Sequence, residues 1–144
     1  MAEPQTNDVT RLIEGRSEQE IVSEVQKLGV ETVLGQVFGM IAAAFIPGAA
    51  VIESAVVQFD VTAPDGVHSY QLKFADENCV VLKAKGEAAR LTISLALPVF
   101  LRIVGGELDG RQAFISGRVR LSGDVLLAQA MRGWFNRQPG LVIV

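Results

Sequence analysis

LTISLALPVFLRIVGGELDGRQAFISGRVRLSGDVLLAQAMRGWF, residues 91–135, carries two alternating segments and two apolar helical ones, joined by glycines. Leu91, Ile93 and Leu95 alternate with Arg90, Thr92 and Ser94, the period of a half-buried strand. The same period runs through Ile115, Gly117, Val119 and Leu121 against Ser116, Arg118, Arg120 and Ser122, predicting a strand over 115–122. Between them Pro98 to Val104 is helix-like, and Gly105-Gly106 stops it. A second apolar helix follows Gly123-Asp124 and is expected to end in Trp134 and Phe135. The stretch builds an apolar interior and holds no constellation for chemistry.

Outward from this stretch, the N-terminal part reads as helices. Residues 1–16 are expected to be a loose leader. Ser17 is a good N-cap, and Glu20 completes a capping box. Ile21, Val22, Val25 and Leu28 follow at helical spacing, and Gly29 closes the helix. A second helix, expected from Glu31 to Phe45, carries Val33, Leu34, Val37, Phe38, Ile41 and Phe45. The run Val33 to Ile52 has the length of a membrane span. Gln36 inside it, Pro47-Gly48, and flanking Glu31 and Glu53 instead of basic anchors argue against spanning.

The middle of the chain reads as a meander. Val57, Phe59 and Val61 alternate with Gln58 and Asp60, and Pro64-Asp65-Gly66 turns. Tyr70, Leu72 and Phe74 alternate with Ser69, Gln71 and Lys73; after Asp76-Glu77-Asn78 a third strand runs from Cys79 to Ala84. With the strands near 90–95 and 115–122 that makes five. Because one face of nearly every strand is apolar, helices should cover one side only. The connection from Leu95 to Ile115 exceeds a hairpin, so it is expected to cross the sheet and allow a parallel pair. The predicted class is α+β, a five-stranded mixed, mostly antiparallel sheet with helices on one face. The domain should span 17–138, with an apolar tail over 139–144.

Several of these segments resemble the sterol carrier protein 2 family. GELDGRQAF (106–114) and GRVRLSGD (117–124) are similar to its glycine-x-x-asparagine/aspartate-x-x-x-alanine-phenylalanine and glycine-x-hydrophobic-x-hydrophobic-x-glycine-aspartate patterns. ARLTISLALPVFLRIVGGEL (89–108) and AFIPGAAVIESAVVQFDV (44–61) resemble further family segments in the family's order. The likeness covers roughly Ser17 to Phe135, and it departs where the family often carries tryptophan and this chain has Tyr70. It implies a sheet and helices enclosing a hydrophobic tunnel, and transport of a fatty acid, acyl-CoA, sterol or related lipid.

Bulk composition agrees with one domain of 144 residues, 49% hydrophobic and 20% charged. A net charge of −3 argues against nucleic acid as partner. Arg111, Arg118, Arg120, Arg132 and Arg137 read as solvated faces, or else as contacts for an anionic headgroup or carboxylate. One cysteine, Cys79, excludes an internal disulfide, and the absence of a secretion signal points to the cytoplasm. His68 is the lone histidine, so no transition-metal site and no catalytic triad is expected, and no cofactor. Asp109 and Asp124 read as turn and N-cap residues.

What remains is apolar. The predicted lipid lining is Phe38, Ile41 and Phe45; Phe100, Leu101 and Val104; and Phe114, Leu127, Met131, Trp134 and Phe135. Met131 and Trp134 are the preferred ligand contacts and a candidate gate. Three readings follow: a non-catalytic lipid carrier, with transient membrane-surface contact; a module docking on an enzyme or forming a homodimer, in which the apolar tail Leu141 to Val144 would serve; and an enzyme, for which no acid or base can be nominated.

Overall fold

The computed structural model describes residues 6–48, 54–83 and 88–135. The tail, and the part of the domain beyond Phe135, lie outside them. Element order is α1 (Thr6–Ile13), α2 (Glu18–Leu28), α3 (Val30–Ala43), β1 (Ser54–Ala63), β2 (Gly66–Ala75), β3 (Asn78–Lys83), β4 (Leu91–Ala96), α4 (Leu97–Val104), α5 (Gly110–Ile115), β5 (Val119–Gly123) and α6 (Val125–Ala130). A 3-10 turn, Met131–Gly133, follows α6.

The capping box at Ser17 forms as read. Ser17 Oγ accepts from the Glu20 amide at 3.2 Å, and the Glu20 carboxylate accepts from the Ser17 amide at 2.8 Å. Gly29, at φ 99°, is the only residue between α2 and α3. Its amide donates to Val25 O and closes α2, and its own carbonyl accepts from Val33 to open α3. One residue thus both ends and starts a helix, which requires glycine's backbone freedom.

Two tight hairpins order the meander. Pro64-Asp65 connects β1 to β2, with Ala63 opposite Gly66. Asp76 and Glu77 connect β2 to β3 at φ 52° and 62°, the paired left-handed conformation that matches strand twist. The sheet order is β3-β2-β1-β4-β5, with β1 and β4 parallel and all other neighbours antiparallel.

This mixed, five-stranded α+β fold is the predicted one, with four local differences. The first sixteen residues are not loose throughout, because Thr6–Ile13 is helical, with Val9 and Ile13 buried beside Gly105 at the end of α4. The chain from β4 to β5 does not produce the parallel pair: β5 returns antiparallel to β4. The parallel pair is β1–β4, reached through the meander. Strand β5 starts at Val119 and not at Ile115, since Asp109 caps α5 by accepting from the Arg111 amide at 2.9 Å. Ile115 ends that helix, 82% exposed. Finally, α6 stops at Ala130, short of Trp134.

The strands bury one face heavily. Val57, Phe59 and Val61 of β1, Tyr70, Leu72 and Phe74 of β2, and Leu91, Ile93 and Leu95 of β4 form the wall against which the helices pack. On the opposite face Gln71 Nε2 donates to Gln58 Oε1 at 3.0 Å, and Gln58 Nε2 donates to Asp60 Oδ1 at 2.9 Å. This ladder satisfies two glutamines that are both buried. Among the described residues, no helix is long and apolar enough to cross a membrane.

One carboxylate ties distant segments together. Glu18, at the start of α2, accepts from Arg102 of α4 at 3.1 Å and pairs with Arg118 ahead of β5. The Arg118 hydrogen bond holds its carboxyl below the usual carboxylate value. Arg118 is therefore engaged, not merely solvated as its sequence context suggested.

Candidate functional site

The space between sheet and helices is built from aromatic rings drawn from both layers. In α3, buried Val33, Leu34, Val37, Phe38 and Ile41 share one stripe, while Gly35, Gln36 and Gly39 face outward. Phe38 is the centre of the first cluster. Its ring stacks on Tyr70 at 4.7 Å and on Phe100 at 5.0 Å, and meets Phe59 edge-on at 5.2 Å. Helix α4 supplies Phe100 because Pro98 at its first turn fixes the start without costing a hydrogen bond. Leu101 and Val104 are buried with it.

A second cluster lies just past the C-terminal end of α3. Phe45 approaches Phe74 at 5.4 Å and Phe135 at 5.8 Å, and Trp134 meets Phe74 edge-on at 5.0 Å. Backbone bonds fix this end: the Ile46 amide donates to Trp134 O at 2.8 Å, and Phe45 bridges Phe135. Asp124 caps α6 by accepting from the Leu127 amide at 3.3 Å, and Arg90 Nη2 donates to it at 2.7 Å. That arginine holds the Asp124 carboxyl below its usual range.

The structure brings Phe38, Ile41, Phe45, Phe100, Leu101, Val104, Leu127 and Trp134 into the core, each no more than 7% exposed. Phe114, Met131 and Phe135 are half-buried and pack against it. Sequence reasoning omitted the strand contribution, namely Phe59, Tyr70 and Phe74. The period-2 alternation that placed these three on the inner face was the signal that could have found them.

Polar chemistry in this interior is sparse. Among the described residues no three His, Cys, Asp or Glu side chains are grouped to hold a metal ion. Cys79 is half-buried on the inner side of β3, and burial pushes its thiol up to about 12, leaving it mostly protonated at neutral pH. His68 Nε2 lies 2.9 Å from Asp65 Oδ1 at the surface. The inner face is apolar, and among the described residues it presents no nucleophile–base pair.

These features place the chain in a known family. Residues 49–136, more than half of it, match the SCP-2 sterol transfer family, and the chain belongs to that family. No curated protein matches it in sequence. Among solved structures, Sterol Carrier Protein 2 Like 2 from Aedes aegypti is 23% identical and covers 73% of this chain and 94% of its own, with a TM-score of 0.60. The MycE methyltransferase of the mycinamycin biosynthetic pathway is 17% identical over 99% of this chain and 38% of its own, TM-score 0.65. The inverting sec-alkylsulfatase Pisa1 from Pseudomonas sp. is 20% identical over 72% of this chain and 16% of its own, TM-score 0.58. The fold therefore occurs both as most of a small protein and as a minor part of larger enzymes.

Proposed function

We propose that this chain is a non-catalytic carrier that binds one lipid-like molecule between the inner sheet face and helices α3, α4 and α6. Membership in a sterol transfer family supports the binding of lipids in general. The observation that carries the reading is the interior itself. Aromatic rings from α3, α4, β1, β2, Phe45 and residues 134–135 form two clusters, with half-buried Met40, Met131 and Phe114 packed against the core they belong to. Methionine adapts to varied ligand shapes, and tryptophan offers a large apolar surface. Met131 and Trp134 are the proposed principal contacts. They sit on a single 3-10 turn and the residue after it.

Fatty acids, fatty acyl-CoA and sterols are the proposed ligand classes, and the cytoplasm is the proposed setting. No cofactor enters the reading, and no residue is assigned a catalytic role. Alkyl burial provides the binding energy, about 0.8 kcal/mol per methylene. Calorimetry with saturated ligands differing by two methylenes should show affinity falling about tenfold or more for the shorter one. Equal affinities along the series would refute burial in an internal site.

A further inference from the structure

Strand β3 lies at an edge of the sheet, paired with β2 on one side and with no other described strand. Beyond that ladder, residues 78–83 make no backbone hydrogen bond to another described residue. Such an edge is a template for a further strand unless proline, a bulge or charge blunts it. No proline lies in Asn78–Lys83, its pairing with β2 is continuous, and its one charge, Lys83, stands at the end. Cys79 and Val81 pack toward the core, while Val80, on the opposite face, is 51% exposed.

The two ends of this edge differ in charge. Asp76 and Glu77, in the turn before β3, are exposed and form no ion pair with another described residue. Lys83 closes the strand; it binds Glu31 of α3, yet 63% of its side chain stays exposed. An ammonium has three donors, so it can take a second carboxylate. The strand run antiparallel against a copy of itself, with Val80 opposite Val80, sets Cys79 against Val81 and Glu77 against Lys83 of the second copy. A two-fold axis makes each of these unlike contacts twice. Helix α3 packs over β3, and its exposed residues Thr32, Gly35, Gln36, Gly39 and Ala43 carry no charge to hold two such layers apart.

We propose that β3 is a homodimerisation edge, at which two copies join antiparallel about Val80. The product is one ten-stranded sheet with both helical layers on the same side. A second copy is the occupant because the edge matches itself, acid against base across an apolar centre. The chain's own apolar tail, Leu141 to Val144, has no side-chain charge to engage either end. The inference does not rest on the carrier reading.

Sedimentation velocity of the full chain over a range of concentrations tests it. The unaltered chain should dimerise with a dissociation constant of about 10 µM, as suits a small interface. Glu77→Lys and Lys83→Glu, each alone, should weaken the dimer about tenfold or more, since each sets two like-charged contacts across the axis. Mixed in equal amounts, the two variants should dimerise again, because every charged contact in the mixed pair is then unlike. A role of either residue within its own chain would give no such rescue. Val80→Lys, which puts like charges on the axis, should weaken the dimer and find no rescue from either variant. A chain that is monomeric throughout, a dimer indifferent to the charge variants, or a mixture no better than its components overturns the proposal. A chain that dimerises only once residues 139–144 are removed assigns the edge to the tail and overturns it equally.

Discussion

Phe38→Ala should be the most damaging single truncation, lowering stability by about 3–5 kcal/mol. The ring is fully buried and is the shared member of three of the four contacts in its cluster. Its removal leaves Tyr70 and Phe100 without the ring they both stack on, so the loss includes aromatic pair terms beyond area burial. It also detaches the middle of α3 from β1, β2 and α4 at once. Since domains of this size are typically stable by only 5–15 kcal/mol, roughly a third of the margin is at stake. Urea unfolding followed through Trp134 fluorescence measures the loss, and Ile115→Ala, at a residue 82% exposed, provides the contrast. That surface change should stay within about 0.5 kcal/mol. A Phe38 loss as small as that would mean the cluster is not packed as described.

Gly123→Ala should cost about 3 kcal/mol, from two causes acting together. Gly123 ends β5 at φ 102°, a conformation that side chains disfavour. A Cβ placed there comes closer than 3.0 Å to the Arg90 carbonyl oxygen, and backbone cannot swing aside as a side chain can. That same oxygen accepts from the Asp124 amide at 2.7 Å. Relief of the clash therefore moves Asp124, its ion pair with Arg90, and the cap of α6. Gly117→Ala separates the two causes. Gly117 has φ 83° but nothing within 4 Å of the added carbon, so strain alone remains, about 1–2 kcal/mol. Urea unfolding of the two variants should show Gly123→Ala clearly the less stable. This comparison gives a physical reason for both glycines in the segment Gly117 to Asp124.

The same residues show how far the sequence could be read. Ser17 with Glu20, Gly29 and Asp124 act within a few positions of themselves and perform the capping or terminating role their spacing implied, whereas Asp109, read as a turn residue, caps a helix. The hairpins at 64–65 and 76–77 were equally local. Errors arose where distance along the chain mattered. Helix α1 buries Val9 and Ile13 in the core, with Leu12 packed against it, and its partner Gly105 lies some ninety residues away, so a short polar-looking segment gave little warning. Ile115 fitted a period-2 pattern, yet the Asp109 cap claims it for a helix. The parallel pairing of β1 with β4 depends on where the meander brings the chain back, which no local pattern encodes.

The interior was legible by halves for a related reason. Helical stripes announce an apolar face, so Phe38, Phe45, Phe100 and Trp134 stood out. The strand residues facing them, Phe59, Tyr70 and Phe74, looked like ordinary core until the fold showed which rings meet. Tyr70 was visible in the strand alternation and as a departure from the family pattern. Its place came with the fold, which stacks its ring on Phe38 of α3.

Native mass spectrometry of the freshly purified chain, followed by solvent extraction and identification of what is released, tests carriage most directly. A carrier should show a co-purifying lipid at close to one per chain, or uptake of one palmitate, palmitoyl-CoA or cholesterol by the bare protein. A bare mass that takes up none of the three would contradict carriage, and the space between sheet and helices would then be filled core.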